Sequence, residues 1–232
     1  MLKVEHLEKT FYPHKNTRLT VLSDVSFQIA DGEKLAMQGA SGAGKSTIAR
    51  ILTGLETPDG GLVVLDGKPL WSDGKKKKYD RAEGRKIQMI FQSPYSSLDP
   101  MQKAGDAVRE ALIFSHAAKR GKEAREKTAE LFDLVGLPVE LADRRPFALS
   151  GGQAQRVAIA RALALSPALL IADEATAMLD VMSQARIVGL LNELNEKLGL
   201  SVLYISHDGA LLHSCADTVL HLENGILKKG SV

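Results

Sequence analysis

The sequence is poor in cysteine, because Cys215 is the only one among its 232 residues. A single cysteine forms no disulfide within the chain and no cysteine-based zinc cluster, so a secreted disulfide scaffold and a zinc ribbon are both excluded. A reducing compartment is the simplest setting for such a chain. Hydrophobic residues are not scarce: at 44% they are sufficient to form the core of one large domain or two modest ones.

Long apolar runs are also lacking, since none approaches the ~20 residues needed to cross a bilayer. The N-terminal MLKVEHLEKTF does not have the charged-then-apolar order of a signal peptide. We therefore expect a chain that is soluble by itself, although a membrane partner remains compatible with it. The charge is nearly balanced, at 30 basic and 28 acidic side chains and a net charge of +2. This balance gives little support to nucleic-acid binding, and the basic run at 75–78 is interpreted as a solvated loop.

Apolar stretches along the chain predict β-strands, several of them rich in Val, Ile and Leu. They are LKVEHL, VLSDVSFQI, EKLAMQG, GLVVLDG, KIQMIFQ, ALLIAD, SVLYIS and TVLHLENGIL, the last containing the hairpin signal Asn224-Gly225. Helices are predicted between them, at 45–53, about 105–118, 122–135, 153–165, 181–198 and 209–215. The alternation favours an α/β fold with a mainly parallel sheet. The segment from about 96 to 165 predicts consecutive helices without a strand, and we interpret it as a helical insertion.

The stretch LAMQGASGAGKSTIARIL carries the phosphate-binding pattern G-x-x-x-x-G-K-[ST] between a predicted strand and a predicted helix, which is the context that the motif requires. Glycines let the backbone N–H groups of such a loop curl round phosphate oxygens. Lys45 supplies a point charge to the outer phosphates, and the Ser46 hydroxyl can ligate Mg²⁺. The candidate nucleotide-binding residues are Gly39, Ala40, Ser41, Gly42, Ala43, Gly44, Lys45, Ser46 and Thr47.

Polar side chains end three other predicted strands. Asp173 and Glu174 end ALLIADE, at the edge of the sheet where open α/β sheets bind ligands. Adjacent strand residues point to opposite sides, so Asp173 suits Mg²⁺ binding and Glu174 suits a general base. Gln92 ends KIQMIFQ and can ligate Mg²⁺ or orient water. His207 follows SVLYIS and brings an imidazole to the same edge, although a lone histidine there is more often structural.

The stretch PFALSGGQAQRVAIARAL contains a second candidate phosphate site. Ser150, Gly151 and Gly152 stand directly ahead of a helical run, which is how free backbone N–H groups and a helix N-terminus form an anion site. Because the chain already has a more complete phosphate loop, the second loop raises the question of whose phosphate it binds.

The order of these motifs closely resembles the nucleotide-binding subunits of ABC transporters. The matching elements are the phosphate loop, Gln92, LSGGQ at 149–153, LLIADE at 169–174, AMLD at 177–180 and His207. The resemblance covers almost the whole chain, and LSGGQ followed by QRVAIARAL is highly specific. It implies one ABC ATPase domain over 1–232. Within it, 1–95 and 166–232 would form a P-loop NTPase (RecA-like) α/β core with an antiparallel β subdomain, and 96–165 an inserted helical subdomain.

The resemblance also implies residue roles. Phe11 matches the aromatic residue that stacks on adenine, with ordinary core packing as the alternative. Glu174 matches the catalytic carboxylate, and His207 the switch histidine that contacts the γ-phosphate. Gln92 would couple γ-phosphate and Mg²⁺ occupancy to rotation of the helical subdomain and to contact with membrane subunits.

The signature sequence implies partners. Ser150, Gly151, Gly152 and Gln153 would grip the ATP held by the phosphate loop of a facing subunit, so ATP and Mg²⁺ would be shared across a homo- or heterodimer. The expected partners are a second ABC ATPase subunit, two transmembrane permease subunits and, indirectly, an extracytoplasmic solute-binding protein, with no nucleic acid. The expected location is the cytoplasmic face of the inner membrane, as a peripheral subunit.

Finer features favour particular branches. FQSPYSSLDP and DVMSQARI look like the subunits serving oligopeptide, dipeptide and nickel importers, and the end at Val232 slightly favours nickel or metal complexes over peptides. Ala175 and Ala177 replace the family's usual Pro and Ser, and Ala154 replaces a long polar residue. We expect Ala154 and Ala177 beside the shared surface; the missing hydroxyl at 177 removes a hydrogen bond worth about 1 kcal/mol.

Two other functions are weighed against an importer ATPase. A soluble ABC-type ATPase acting on ribosomes or DNA predicts two motif sets in one chain, or a long coiled-coil insertion before the signature. A small-molecule phosphotransferase predicts no signature loop. The sequence has one motif set, no such insertion and a complete LSGGQ, so it favours the importer subunit.

Overall fold

A computed structural model of the chain describes residues 1–14, 17–72, 81–175 and 180–229. The strands are β1 (Leu2–His14), β2 (Thr17–Ile29), β3 (Lys34–Gln38), β4 (Gly60–Leu65), β5 (Lys68–Ser72), β6 (Ile87–Ile90), β7 (Leu169–Asp173), β8 (Ser201–Ser206), β9 (Thr218–Glu223) and β10 (Ile226–Lys229). The α-helices are α1 (Lys45–Leu52), α2 (Arg81–Gly84), α3 (Ala104–Phe114), α4 (Lys122–Leu134), α5 (Gly151–Leu163), α6 (Val181–Leu198) and α7 (Gly209–Cys215). Short 3₁₀ helices lie at Pro94–Ser96, Val139–Asp143 and Pro146–Ala148.

A six-stranded sheet in the order β10-β9-β3-β8-β7-β6 forms the centre of the fold. All neighbouring pairs are parallel except the β9–β10 hairpin, as the alternation of strands and helices predicts. Side chains alternate between two apolar cores: Leu35 and Met37 belong to the core on the α1 side, whereas Ala36 belongs to the core on the α5–α7 side. Because the strands run parallel, the polar residues that end β3, β7 and β8 meet at one edge.

A second, antiparallel sheet has the order β2-β1-β4-β5 and shares the core on the α1 side. The buried Trp71 of β5 donates its indole N–H to the Ile51 carbonyl at 2.9 Å, which ties this sheet to the end of α1. The sequence did not predict β5, because KPLWS is short, contains a proline and buries only Leu70 and Trp71. The predicted first strand, LKVEHL, also ends too early, since β1 continues to His14.

Helices α3, α4 and α5 occupy the chain between β6 and β7, with no strand in residues 91–168. The predicted helix ends lie within a few residues of the observed ones. The largest functional difference is at α5, which begins at Gly151 rather than Gln153 because Ser150 caps it. Every helix in the described ranges is too short or too polar to span a bilayer.

Candidate nucleotide-binding and hydrolysis site

The phosphate loop joins β3 to α1 and is enclosed by backbone from two other strands. A side chain at Gly39 would place its Cβ 2.4 Å from the carbonyl oxygen of Leu222 in β9. At Gly44, where φ is +107°, a Cβ would lie 2.8 Å from Leu22 Cδ2 and 2.9 Å from the Val21 carbonyl oxygen of β2. Glycine is therefore needed at both positions for close approach, and at Gly44 also for the left-handed backbone.

Lys45 folds back into this loop. Its Nζ donates hydrogen bonds to the carbonyl oxygens of Gly39 at 2.7 Å and Ala40 at 2.9 Å, and only 5% of the residue is exposed. Burial lowers the pKa of Lys45, while the carboxylates of Glu174 and Asp173 oppose that shift. The ammonium group is thus held on weak neutral acceptors inside the loop, and anionic phosphate oxygens would be stronger partners for it.

Ser46 and Asp173 meet beside the loop. The Ser46 hydroxyl donates to Asp173 Oδ1 at 3.1 Å, which joins the first turn of α1 to the end of β7. Asp173 is 8% exposed, and burial raises the pKa of its carboxyl group. A hydroxyl and a carboxylate oxygen are the hard donors that Mg²⁺ prefers, together with phosphate oxygens. The residues present therefore fit a nucleotide-associated Mg²⁺.

Glu174 and His207 form a second pair at the same edge. Glu174 Oε1 lies 3.2 Å from His207 Nδ1, so the pair bridges the ends of β7 and β8. Glu174 adopts a left-handed conformation with φ of +47°, and its N–H donates to the Ile205 carbonyl at 2.9 Å. Such a conformation is unfavourable for a residue with a Cβ and persists where its surroundings hold it. Because of this turn, the Glu174 carboxylate lies apart from the buried carboxylate of Asp173.

Gln92 lies two residues beyond the end of β6 and is exposed. Within the ranges described, its side chain makes no hydrogen bond with either pair of residues above. The residues that follow it are tied to the helical insertion: the Tyr95 hydroxyl donates to the Leu149 carbonyl at 3.2 Å, and Arg161 donates to the Ser97 carbonyl at 2.6 Å. Gln92 therefore stands at the connection between the sheet and the helices.

Phe11 lies on the β1–β2 ribbon, opposite Leu19. It is half-buried and belongs to neither apolar core, which disfavours ordinary core packing as its role. The Lys9 ammonium lies 4.8 Å from the centre of its ring, a cation–π contact. The ribbon passes the phosphate loop two residues further on, where Val21 approaches Gly44.

The signature loop opens α5, on the insertion. Ser150 Oγ accepts from the Gln153 N–H at 3.3 Å, and Gln153 Oε1 accepts from the Ser150 N–H at 2.9 Å, which forms a complete capping box. Gly152 has space around it, since a Cβ there would find its nearest neighbour, Ser183 Oγ, at 3.9 Å. Over the described residues, no hydrogen bond joins 150–153 to the phosphate loop.

Two residues near the site were missed by the sequence reasoning. A Cβ on Gly209 would lie 2.6 Å from Gln38 Nε2, so the Gln38 amide packs directly against the loop that follows His207. Gln38 is also paired with Ser206 in the β3–β8 ladder. The available signal was the one that pointed to Gln92: a polar residue at the end of an apolar strand.

One expectation about the shared surface was wrong. Ala154 is fully buried in the apolar core that contains α5, because the first turn of the helix directs it inward. A residue with no exposed surface cannot lie beside a partner chain. Ala175 is buried as well. The first three residues of AMLD, which include Ala177, lie outside the described residues, and so does the basic run at 75–78.

A phosphate loop between strand and helix, with its serine bonded to an aspartate at the end of a buried strand, defines a P-loop nucleotide-binding domain. The family model described as ABC transporter matches residues 22–177, and the chain belongs to this family. The chain is therefore an ATP-binding domain that hydrolyses ATP in an ABC transporter.

Curated relatives resemble the chain over most of its length. The dipeptide transport ATP-binding protein DppF of Haemophilus influenzae is 40% identical over 230 residues, which cover 96% of this chain and 69% of the relative. The oligopeptide transport ATP-binding protein OppF of Bacillus subtilis is 40% identical over 220 residues, covering 94% and 71%. The di/tripeptide transport ATP-binding protein DppF of Pseudomonas aeruginosa is 42% identical over 205 residues, covering 88% of this chain and 62% of the relative. These names give no support to the nickel or metal-complex branch.

Solved structures agree with the fold. The ATP-binding cassette MJ0796, in a dimeric post-hydrolysis state bound to ADP and Pi, is 33% identical with a TM-score of 0.86. The match covers 99% of this chain and 98% of that one. The P-loop NTPase fold with its inserted helices is thus shared nearly end to end.

Proposed function

We propose that the chain is the ATP-hydrolysing subunit of a peptide importer, peripheral at the cytoplasmic face of the cell membrane. The observation that carries this is the pairing of an enclosed phosphate loop with an outward-facing signature loop, in a chain about 40% identical to peptide-transport subunits. An ATPase acting on ribosomes or DNA is not favoured, because these relatives are named for transport.

The nucleotide would bind along the carboxyl edge of the sheet. Phe11 stacks on the adenine ring, and backbone N–H groups of residues 39–47 surround the phosphates. Lys45 exchanges its bonds to loop carbonyls for bonds to the outer phosphates. Ser46 and Asp173 would hold Mg²⁺, and Gln92, two residues beyond the end of β6, would join them. When bound, Mg²⁺ neutralises charge that develops on the transferred phosphoryl group.

Hydrolysis would depend on the pair of Glu174 and His207. Glu174 accepts the proton of the attacking water as general base. The contact between His207 Nδ1 and Glu174 Oε1 orients the carboxylate and leaves Nε2 of the ring to reach the γ-phosphate. Gln92 orients water in the same site and transmits its occupancy to the residues that follow it.

A second cassette would complete each site. Ser150, Gly151, Gly152 and Gln153 grip the phosphates of the ATP held by the facing subunit, and that subunit does the same in return. The dimeric state of the MJ0796 cassette supports this arrangement for a protein of the same fold. One motif set in each chain then gives two sites in each dimer.

We propose further that the helices between β6 and β7 act as a separate subdomain over a groove that receives the permease. The groove has a volume of about 1120 Å³ and lies between β6 on one side and α3 and α5 on the other. Phe114 lines it with 60% of its surface exposed, and Arg85 lies 5.4 Å from the ring. Phe91 and Ser97 also line it, so the segment containing Gln92 links the groove to the nucleotide.

Reconstitution with the permease and solute-binding proteins of a peptide importer tests the assignment. In vesicles that hold the full complex, we expect peptides to stimulate ATP hydrolysis. Glu174→Gln lowers the rate by about 10²-fold or more because the general base is lost, while ATP still binds. Glu193→Gln, on the exposed face of α6, is the matched control and keeps the parent rate.

Two results would contradict the proposal. Stimulation by nickel complexes and not by peptides would reassign the cargo. Hydrolysis by Glu174→Gln at near the parent rate would remove Glu174 from its role, whatever the cargo.

A further inference from the structure

We propose that Gln155 is a positioning residue that links the signature helix to the catalytic edge of the sheet. The inference rests on the ATP-bound dimer proposed above: the side-chain amide gains hydrogen-bond partners only when α5 moves toward the core as that dimer closes. Gln155 is fully buried, at 0% exposure. Neither Oε1 nor Nε2 has a hydrogen-bond partner in the part of the chain that the structure describes.

An unpaired buried amide is an unusual choice for a stable core. Folding removes both polar atoms from water and returns no bond for either, and the penalty for this exceeds the net gain from a typical hydrogen bond. Buried polar side chains in native proteins are paired in the large majority of cases. An apolar residue of similar size would make this state more stable, so the amide is expected to serve another state.

The position of Gln155 on α5 indicates which state that is. Gln155, Ile159 and Ala162 follow the spacing of one helix face, and all three are buried. Ala162 lines the groove beside β6, and α5 packs on β6, on Pro94–Ser96 and on α6. Gln155 therefore lies on the helix that joins the insertion to the core and that contacts the residues following Gln92.

Existing bonds already connect α5 to that segment on either side of Gln155. Tyr95 reaches the Leu149 carbonyl, six residues before Gln155, and Arg161 reaches the Ser97 carbonyl, six residues after it. When the signature loop shifts to grip a partner's phosphate, these bonds move the 93–98 segment with it. The amide between them can then pair with backbone groups of the core, past which α5 and this segment move together, and these bonds would hold Gln92 and the signature loop in one closed arrangement.

Asn195 offers a matched comparison. It is also buried, at 8% exposure, but Nδ2 donates to the Gly32 carbonyl at 2.8 Å and the Leu200 carbonyl at 2.7 Å. Its amide stabilises the state described here, whereas that of Gln155 does not.

Leucine substitutions separate these two roles. We expect Gln155→Leu to melt at the same or a higher temperature than the parent, to keep KM for ATP and to lose about tenfold in kcat, the size of one hydrogen bond made only in the closed state. In the Glu174→Gln background, the same change raises the ATP-dependent dimer dissociation constant by a similar factor. Asn195→Leu lowers the melting temperature and leaves kcat unchanged.

Gln155→Met keeps the length of the side chain without its hydrogen bonds, and is expected to repeat the Gln155→Leu result even if the branched leucine impairs folding. The proposal is overturned if Gln155→Met lowers the melting temperature as Asn195→Leu does while kcat is kept, since the amide would then be structural. Unchanged kcat and unchanged dimerisation, whatever the melting temperature, overturn it equally.

Discussion

The two loops that would hold phosphate are built differently. The phosphate loop is enclosed, because β9 and β2 pack against its glycines and Lys45 is bonded inside it. The signature loop caps an exposed helix end, and Ser150 and Gln153 are bonded to each other. An enclosed loop can bind nucleotide within one chain, whereas the exposed signature loop leaves room for a ligand that another chain presents. In the proposed arrangement, this difference separates ATP binding, which one chain would achieve, from ATP hydrolysis, which would need two.

The largest expected effect comes from removing the lysine side chain inside the enclosed loop. Lys45→Ala removes the only side-chain charge inside the loop among the residues described, and we expect ATP affinity and hydrolysis each to fall by about 10²-fold or more. Isothermal titration with ATP measures the first, and phosphate release the second. Lys3→Ala, an exposed lysine paired with Glu5, is the control and binds ATP as the parent does. Parent-like affinity in Lys45→Ala would show that the loop does not hold the phosphates.

A smaller effect, confined to hydrolysis, is expected from the exposed loop. Gly152→Asp fits sterically, since the nearest atom to a new Cβ is 3.9 Å away, and it places a carboxylate beside the proposed anion site. ATP should therefore bind normally to each chain while hydrolysis falls by more than about tenfold. Weakened ATP binding by the isolated Gly152→Asp chain would contradict the division between the loops.

Mixing the two variants sharpens the test. In a dimer of Lys45→Ala and Gly152→Asp chains, one site keeps an intact phosphate loop and an intact signature loop. If the chain pairs with itself, equal amounts should recover roughly a quarter of the parent rate, because half of the dimers are mixed and each has one good site. No recovery would mean that each chain uses its own signature loop.

The elements that depend on a local sequence pattern could be predicted. Parallel strands, the helices and both loops were predictable because apolar periodicity and glycine spacing are read within about ten residues. Features that depend on distant packing were not predictable. Strand β5 depends on the hydrogen bond from Trp71 to Ile51, and the burial of Ala154 depends on helices that are distant from the signature loop in sequence. The unpaired amide of Gln155 is invisible in a sequence, since only the assembled core reveals that no partner faces it.

The smallest predicted effect concerns the contact between Gln38 and Gly209, which joins the start of the enclosed loop to the loop after His207. Gly209→Ala places a Cβ 2.6 Å from Gln38 Nε2, so the loop after His207 and the Gln38 amide must move apart; the shift is small because the obstacle is the end of a flexible side chain. We expect kcat to fall by roughly two- to fivefold, because displaced loops misplace His207. Adding Gln38→Ala removes the obstacle and should restore most of the loss.

A double-mutant cycle on kcat measures this coupling. Gly189→Ala, on α6 with no atom near the new Cβ, is the control that should leave kcat unchanged. Strictly additive effects of Gly209→Ala and Gln38→Ala would contradict a contact that positions the histidine. Coupling between them would instead connect the enclosed phosphate loop to His207, the residue proposed to contact the γ-phosphate, and the signature loop would remain the part of the proposed site that a second chain supplies.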